Sequence, residues 1–252
     1  MRMCVKTSLL SVMILCACGC DGKLEDAGFK TKKFVSSFSD PNPKELAKYV
    51  FDETADPDMR RKAVVSLSNH EWGLTETYLG GYDVILRIEM QKPAERRDTA
   101  LMSATIGALG RGGNPKYIPI LALALKLSKS PQVRWDAAIA LDNVAGDKAI
   151  EQLCKSSDMS VEKSADVRAA CCTALRHYVR QDVVDTMVRC LAPEEEFGVR
   201  YAAHKTLVKL CGRDFGTEYT DWAGTKLDKL PALEEKKETK KKSMWNPLNW
   251  FG

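Results

Sequence analysis

One short pattern recurs five times along this chain and leaves few folds open to it. The five copies are Met59-Arg60-x-x-Ala63-x-x-x-Leu67, Met102-x-x-Thr105-Ile106-x-Ala108-Leu109, Val133-Arg134-x-x-Ala137-Ala138-x-Ala140-Leu141, Val167-Arg168-x-x-Cys171-Cys172-x-Ala174-Leu175, and Val199-Arg200-x-x-Ala203-x-x-x-Leu207. The equivalent leucines are spaced 42, 32, 34 and 32 residues apart, so the register holds best in the last four units. Self-similarity at a period of about 20–50 residues is the signature of stacked supersecondary units. Within each copy the apolar and small residues fall on one face of an α-helix. Small side chains in the middle let a neighbouring helix approach closely, and the leucine fills the space between layers. The second copy carries Met102 where the others carry arginine.

Breakers and caps bracket these helices. Asp56-Pro57 and Ser130-Pro131 place a capping residue ahead of a first-turn proline. Gly110, Gly146 and Gly212 fall where a left-handed helix end is useful. A second helix is expected after each of the first four motifs: Thr77–Met90, interrupted by Gly80-Gly81, then Pro115–Ser128, Asp147–Lys155 and Asp182–Leu191. Gly212–Leu227 and Pro43–Thr54 depart from the pattern, as terminal units of a stack do, and are expected to cover its ends.

The pattern resembles HEAT repeats, most closely the short type found in phycobilisome lyases, whose form is D-P-x-V-R-x-x-A-A-x-A-L-G followed by a second helix opening D-x-x-A-I. Asp56–Leu67, Pro131–Ile150 and Asp166–Leu191 carry the resemblance best, over a span from about Pro43 to Leu227. It implies an all-α protein, a right-handed α-solenoid of about five HEAT-like hairpins. At roughly 10 Å per helix, five units make a stack about 50 Å long. Such folds bind partners along extended surfaces, here the face formed by the second helices. Trp72, Tyr78, Tyr82 and Tyr117 cluster near the first units, either contributing to that surface or filling the irregular first repeat. The repeated arginines 60, 134, 168 and 200 are expected to stack units through packing and ladders with neighbouring acids rather than to bind anions.

The N-terminus carries a separate signal. Met1–Lys6 holds two cations, and Thr7–Ala17 is a short apolar run. A membrane span needs roughly 20 apolar residues, so this run reads as a signal-peptide core. Leu15-Cys16-Ala17-Cys18 resembles the bacterial lipobox, which implies diacylation of Cys18 and export. Cys20, after Ala17-Cys18-Gly19, is the alternative acceptor. The resulting organisation is a lipoprotein signal at 1–17, a polar tether at 18–42, repeats at 43–229, and a charged linker with a Trp-rich tail at 230–252. In the tail, Glu234–Lys242 precedes Trp245, Leu248, Trp250 and Phe251. Trp favours membrane interfaces and also anchors protein contacts, so these four are the candidate partner or membrane contacts.

Catalytic chemistry is sparse. The three histidines, His70, His177 and His204, have no ligating residue four positions away, and there is no H-E-x-x-H or C-x-x-C. No catalytic residues, metal site or cofactor are expected. The formal net charge is +4, with cations concentrated at the termini. A near-neutral body argues against nucleic acid as a partner, and no small-molecule substrate is identified. Of the five body cysteines, Cys154 and Cys190 fall on second helices of adjacent units and form the best candidate disulfide in an oxidising compartment. The expected function is a non-enzymatic scaffold or adaptor, lipid-anchored in the cell envelope, facing the periplasm or exterior, and holding a protein partner. The alternative is an enzyme-associated role of the bilin-lyase type, against which the export signal weighs.

Overall fold

A computed structural model describes residues 43–230. The signal segment, the tether, both candidate acylation sites (Cys18 and Cys20), and the tail with Trp245, Leu248, Trp250 and Phe251 lie outside the described residues. Among the described residues the chain is all-α: eleven α-helices joined by loops and six short 3-10 turns, with no strand. The helices are α1 (Pro43–Val50), α2 (Pro57–Leu67), α3 (Glu76–Gln91), α4 (Thr99–Gly112), α5 (Ile118–Leu127), α6 (Pro131–Val144), α7 (Ile150–Ser156), α8 (Ala165–Ala174), α9 (Gln181–Arg189), α10 (Phe197–Cys211) and α11 (Tyr219–Trp222).

The five motif copies are the helices α2, α4, α6, α8 and α10, and each packs against the next in chain order. Leu67, Leu109, Leu141, Leu175 and Leu207 are all fully buried, as are Ala63, Thr105, Ala137, Cys171 and Ala203 at the small position. Each buried leucine contributes roughly 1.5–3 kcal/mol relative to an exposed one. The polar member of the small set, Thr105, donates its hydroxyl to the carbonyls of Leu101 and Met102 at 3.0 and 2.8 Å, so its burial leaves nothing unpaired.

The intervening helices α3, α5, α7 and α9 touch one another more lightly in a second row. Each packs most closely on the motif helix that follows it: α3 on α4, α5 on α6, α7 on α8, α9 on α10. The α1 helix packs on α2 in the same way. The sequence unit, a motif helix and then its successor, is therefore out of phase by one helix with the closest packing. The motif arginine supplies one reason, because it binds the loop just before its own helix. Arg134 donates to the carbonyls of Ser128 and Lys129 (2.9 and 3.2 Å), and Arg168 to that of Glu162 (2.8 Å). Arg200 donates to that of Pro193 at 3.4 Å.

Local signals hold with informative exceptions. Asp56 caps α2 by accepting from the N–H groups of Asp58 and Met59, with Pro57 in the first turn. Ser130 does the same for α6 through Val133. Gly212 ends α10 in the left-handed region at φ 66°. Gly110, expected to end its helix, lies inside α4, and the left-handed cap is Gly113 at φ 62°. Gly110 serves packing instead: a Cβ there would lie 2.9 Å from both Cα and Cβ of Ala140, so α4 and α6 touch backbone to backbone. Gly146 is extended, and Ala145 takes the positive φ, at 29°. The Gly80-Gly81 pair does not interrupt its helix. The α3 helix runs through both, and the Phe51 ring occupies the space above Gly81 that a side chain would fill.

The C-terminal end of the row is covered. Trp222 on α11 is fully buried, its ring edge-on to Phe215 (4.9 Å between centroids) and to His204 of α10 (6.2 Å). Its indole N–H donates to the Gly216 carbonyl at 2.7 Å. Just beyond, Gln181 of α9 accepts from the Leu227 N–H and donates to the Thr225 carbonyl. Among the described residues, no helix is long and apolar enough to cross a membrane.

Candidate interaction surface

Two of the four motif arginines, Arg134 and Arg168, form a structural ladder with acids, whereas Arg60 and Arg200 form no ion pair among the described residues. Arg134 makes a two-pronged bond to Glu162, at 2.6 and 2.8 Å, reaching from α6 to the loop before α8. The Glu162 carbonyl in turn accepts from Arg168, whose guanidinium binds Glu195 at 2.5 and 3.1 Å and also meets Glu196. Arg168 and Glu195 have side chains only 3% and 4% exposed, so the pair is closed to an external anion. Burial pushes the Glu162 carboxyl up, but bonds from Arg134 and the Ser164 N–H outweigh it and hold the group below its ordinary value. At Glu195 burial prevails over Arg168, and its carboxyl sits above that value.

The ladder also accounts for the aberrant second unit. Glu162 follows Arg134 by 28 residues and Glu195 follows Arg168 by 27. At the matching distance from Met102 stands Ser130, the cap of α6. Cation and acid are missing together. In the first unit Arg87 and Ile88 stand at that distance from Arg60, and the nearby acid Glu89 is buried but engaged by Lys92 at 2.5 Å and by the Asp98 N–H at 3.0 Å. Arg60 lines the same small cavity, and its Nε is buried without a hydrogen-bond partner.

The aromatic cluster at the N-terminal end is internal packing. Tyr82 is fully buried, donates its hydroxyl to the Gly73 carbonyl at 3.1 Å, and is pushed up to about 12 by burial. Tyr78 contacts Phe51, Trp72 and Tyr82 at 5.8–6.4 Å between ring centroids. Tyr117 is buried and donates to Glu76 at 3.0 Å. These rings tie the segment after α1, α3 and the turn before α5 together, with Phe51 alone among them exposed.

The histidines and cysteines are likewise occupied. His70 stacks on Trp72, His177 bonds Asp142 and His204 bonds Asp214, both at 2.8 Å. Among the described residues, no group of three or more His, Cys, Asp or Glu side chains is placed to hold a metal ion. All five thiols there are free, including the expected pair Cys154 and Cys190. Cys190 instead lies beside Cys172 and donates to the Ser157 carbonyl at 3.5 Å. Burial pushes the Cys171 thiol far up, and contact with Cys190 together with burial does the same to Cys172. Both are packing residues at the motif's small positions.

What remains open lies on the two outer faces. On the second row, Val84 and Ile88 of α3 and Leu123 and Leu127 of α5 are exposed, one turn apart on each of two neighbouring helices. Val84 and Leu127 are 52% and 53% exposed. Further along this row the exposed residues become charged with both signs, Glu151 and Lys155 on α7 and Asp182 and Arg189 on α9. On the motif-helix row, α10 exposes Phe197 and Tyr201, stacked at 6.2 Å, followed by Lys205 and Lys209. Sequence reasoning named neither stripe. Both were visible as residues four apart on the face opposite the buried pattern.

No protein-family model matches the chain, and no curated protein matches it either.

Proposed function

We propose that this chain is a non-enzymatic, lipid-anchored scaffold of the cell envelope, built as a right-handed HEAT-like solenoid that holds a protein partner on its second-helix face. The observation that carries this reading is the exposure of four aliphatic side chains, Val84 and Ile88 on α3 and Leu123 and Leu127 on the neighbouring α5. Adjacent aliphatic stripes exposed on one face mark interaction sites more often than isolated apolar residues do, and repeat folds use such faces for extended contacts. The in-order packing of the motif helices supports the solenoid reading. Leu15–Cys18 supports the anchor, whose acylated residue is Cys18 rather than Cys20.

The tail supplies a second contact. Trp245, Leu248, Trp250 and Phe251 follow a lysine run and engage the partner or the membrane surface. Three measurements test the proposal. Metabolic labelling with a palmitate analogue should mark the full chain, persist in Cys20→Ala and vanish in Cys18→Ala. Ile88→Glu/Leu127→Glu should release the partner while the far-UV spectrum stays unchanged. Trp245→Ala/Trp250→Ala should weaken membrane association or partner recovery. A purified protein carrying a visible chromophore would overturn the non-enzymatic reading in favour of a bilin-associated role.

A further inference from the structure

The outward face of α10 has a regular arrangement that the repeat does not require. Phe197, Tyr201, Lys205 and Lys209 follow one another at four-residue intervals, with Gly198 and Val208 on the same face. Phe197 is 75% and Tyr201 55% exposed, the highest values among the aromatic side chains described. Gly198 has nothing within 4 Å of the position a Cβ would occupy, so the surface beside Phe197 is bare backbone. A groove of about 600 Å³ runs between this face and the end of α8, lined by Thr173, Tyr201, Ala202, Lys205, Val208 and Lys209, among others. Arg176 and His177 also line it, both held by Asp142. No carboxylate lines the groove. Neither Lys205 nor Lys209 forms an ion pair among the described residues, nor do Glu194 before the helix and Arg213 after it.

This stripe is polar end to end: acid, then aromatic rings, then cations. Such a surface complements itself when reversed. We propose that α10 pairs antiparallel with α10 of a second copy of this chain, about a twofold axis that passes between Tyr201 and Lys205. That register sets Tyr201 of each copy against Lys205 of the other, Phe197 against Lys209, and Gly198 against Val208. Glu194 then lies next to Arg213. The two aromatic–lysine pairings, each made twice, are cation–π contacts, and the bare backbone at Gly198 lets the helices approach closely beside them. A twofold interface requires one patch to recognise itself in this manner. The α10 helix has 15 residues and is therefore about 22 Å long. A single helix pair of that length buries less than the about 800 Å² per partner of a stable complex, so the dimer is weak and reversible.

The proposal is independent of the anchor and of the second-helix face, which lies on the other row. It is tested with a photo-crosslinking residue, p-benzoylphenylalanine, at position 197 of the full chain, produced as a mixture of light and ¹⁵N-labelled protein. The expected product is a covalent dimer whose adduct maps to the peptide containing Lys209 and includes light–heavy pairs. Lys205→Glu/Lys209→Glu in the same chain should cut the yield by at least about tenfold while leaving the far-UV spectrum unchanged. Adducts within one copy, adducts to an acidic partner protein or to lipid alone, or a dimer insensitive to the two lysine substitutions would each overturn the proposal.

Discussion

Replacing Arg168 with methionine tests the ladder at its most buried rung. In the native chain this guanidinium binds Glu195 twice, meets Glu196, and donates to the Glu162 carbonyl. Methionine keeps the apolar stem and removes every donor. Glu195, with only 4% of its side chain exposed, is then left as an uncompensated buried carboxylate. Breaking a buried pair from one side costs about 3–5 kcal/mol, far more than the pair's net worth. Arg168→Met should therefore lose about 3–5 kcal/mol in urea unfolding of the full chain followed by far-UV circular dichroism, with the denaturant slope unchanged. Arg168→Met/Glu195→Leu removes the stranded charge as well. It should fall short of the sum of the two single losses by about 2–3 kcal/mol. Arg180→Ala provides the control, because its pair with Asp182 is half exposed on both sides and its loss should be far smaller. A loss below about 1 kcal/mol for Arg168→Met would refute the reasoning, since that is the range of a solvent-exposed ion pair.

Other consequences follow from the same geometry. Gly110→Ala gains about 1 kcal/mol of helix propensity but forces the α4 and α6 backbones apart at Ala140, where overpacking costs about 1–3 kcal/mol. A net fall in unfolding midpoint is expected, and a rise would show that the contact is loose. Glu162 is held below its ordinary value of 4.5, so its contribution is full above that pH and is lost as pH falls through the lower folded value. The stability gap between wild type and Glu162→Gln should shrink as pH drops below 4.5, which unfolding curves across that range will measure. Under native conditions, thiol reagents followed by peptide mapping should label Cys154, which lines an open pocket, before Cys171 or Cys172, both fully buried. Early labelling of the latter two would place them outside the core.

Much of the fold was legible because the repeat writes its packing into the chain. Five leucines and five small residues at fixed offsets identified the buried faces of α2, α4, α6, α8 and α10. The arginine at the second motif position pointed to a ladder with acids, and Arg134–Glu162–Arg168–Glu195 is that ladder over two of the four arginines, with Arg60 and Arg200 outside it. What pattern did not convey was the phase of packing. Each second-row helix packs most closely on the motif helix that follows it, and in the units that keep the arginine, bonds to carbonyls of the preceding loop support that phase without any periodic signature. Gly110 was misassigned for a related reason. A glycine near a helix end serves equally as a cap or as a close contact, and only the position of Ala140 decides between them. The disulfide expectation paired second helices of adjacent units, whereas Cys190 turns toward Cys172 on the motif helix between them. The exposed residues on α3, α5 and α10 carry no signal in the buried periodicity, because exposure is decided by what packs nearby.

The central claim, a scaffold that holds a protein on its second-helix face, is tested most directly by photo-crosslinking in intact cells. A benzophenone side chain is placed in turn at positions 88 and 127 on that face, and at exposed position 62 on α2 as a control. The expected result is one and the same protein adduct from positions 88 and 127, absent from position 62 and lost when Val84→Glu is added. No adduct from either position, or the same adducts from all three, would contradict the claim.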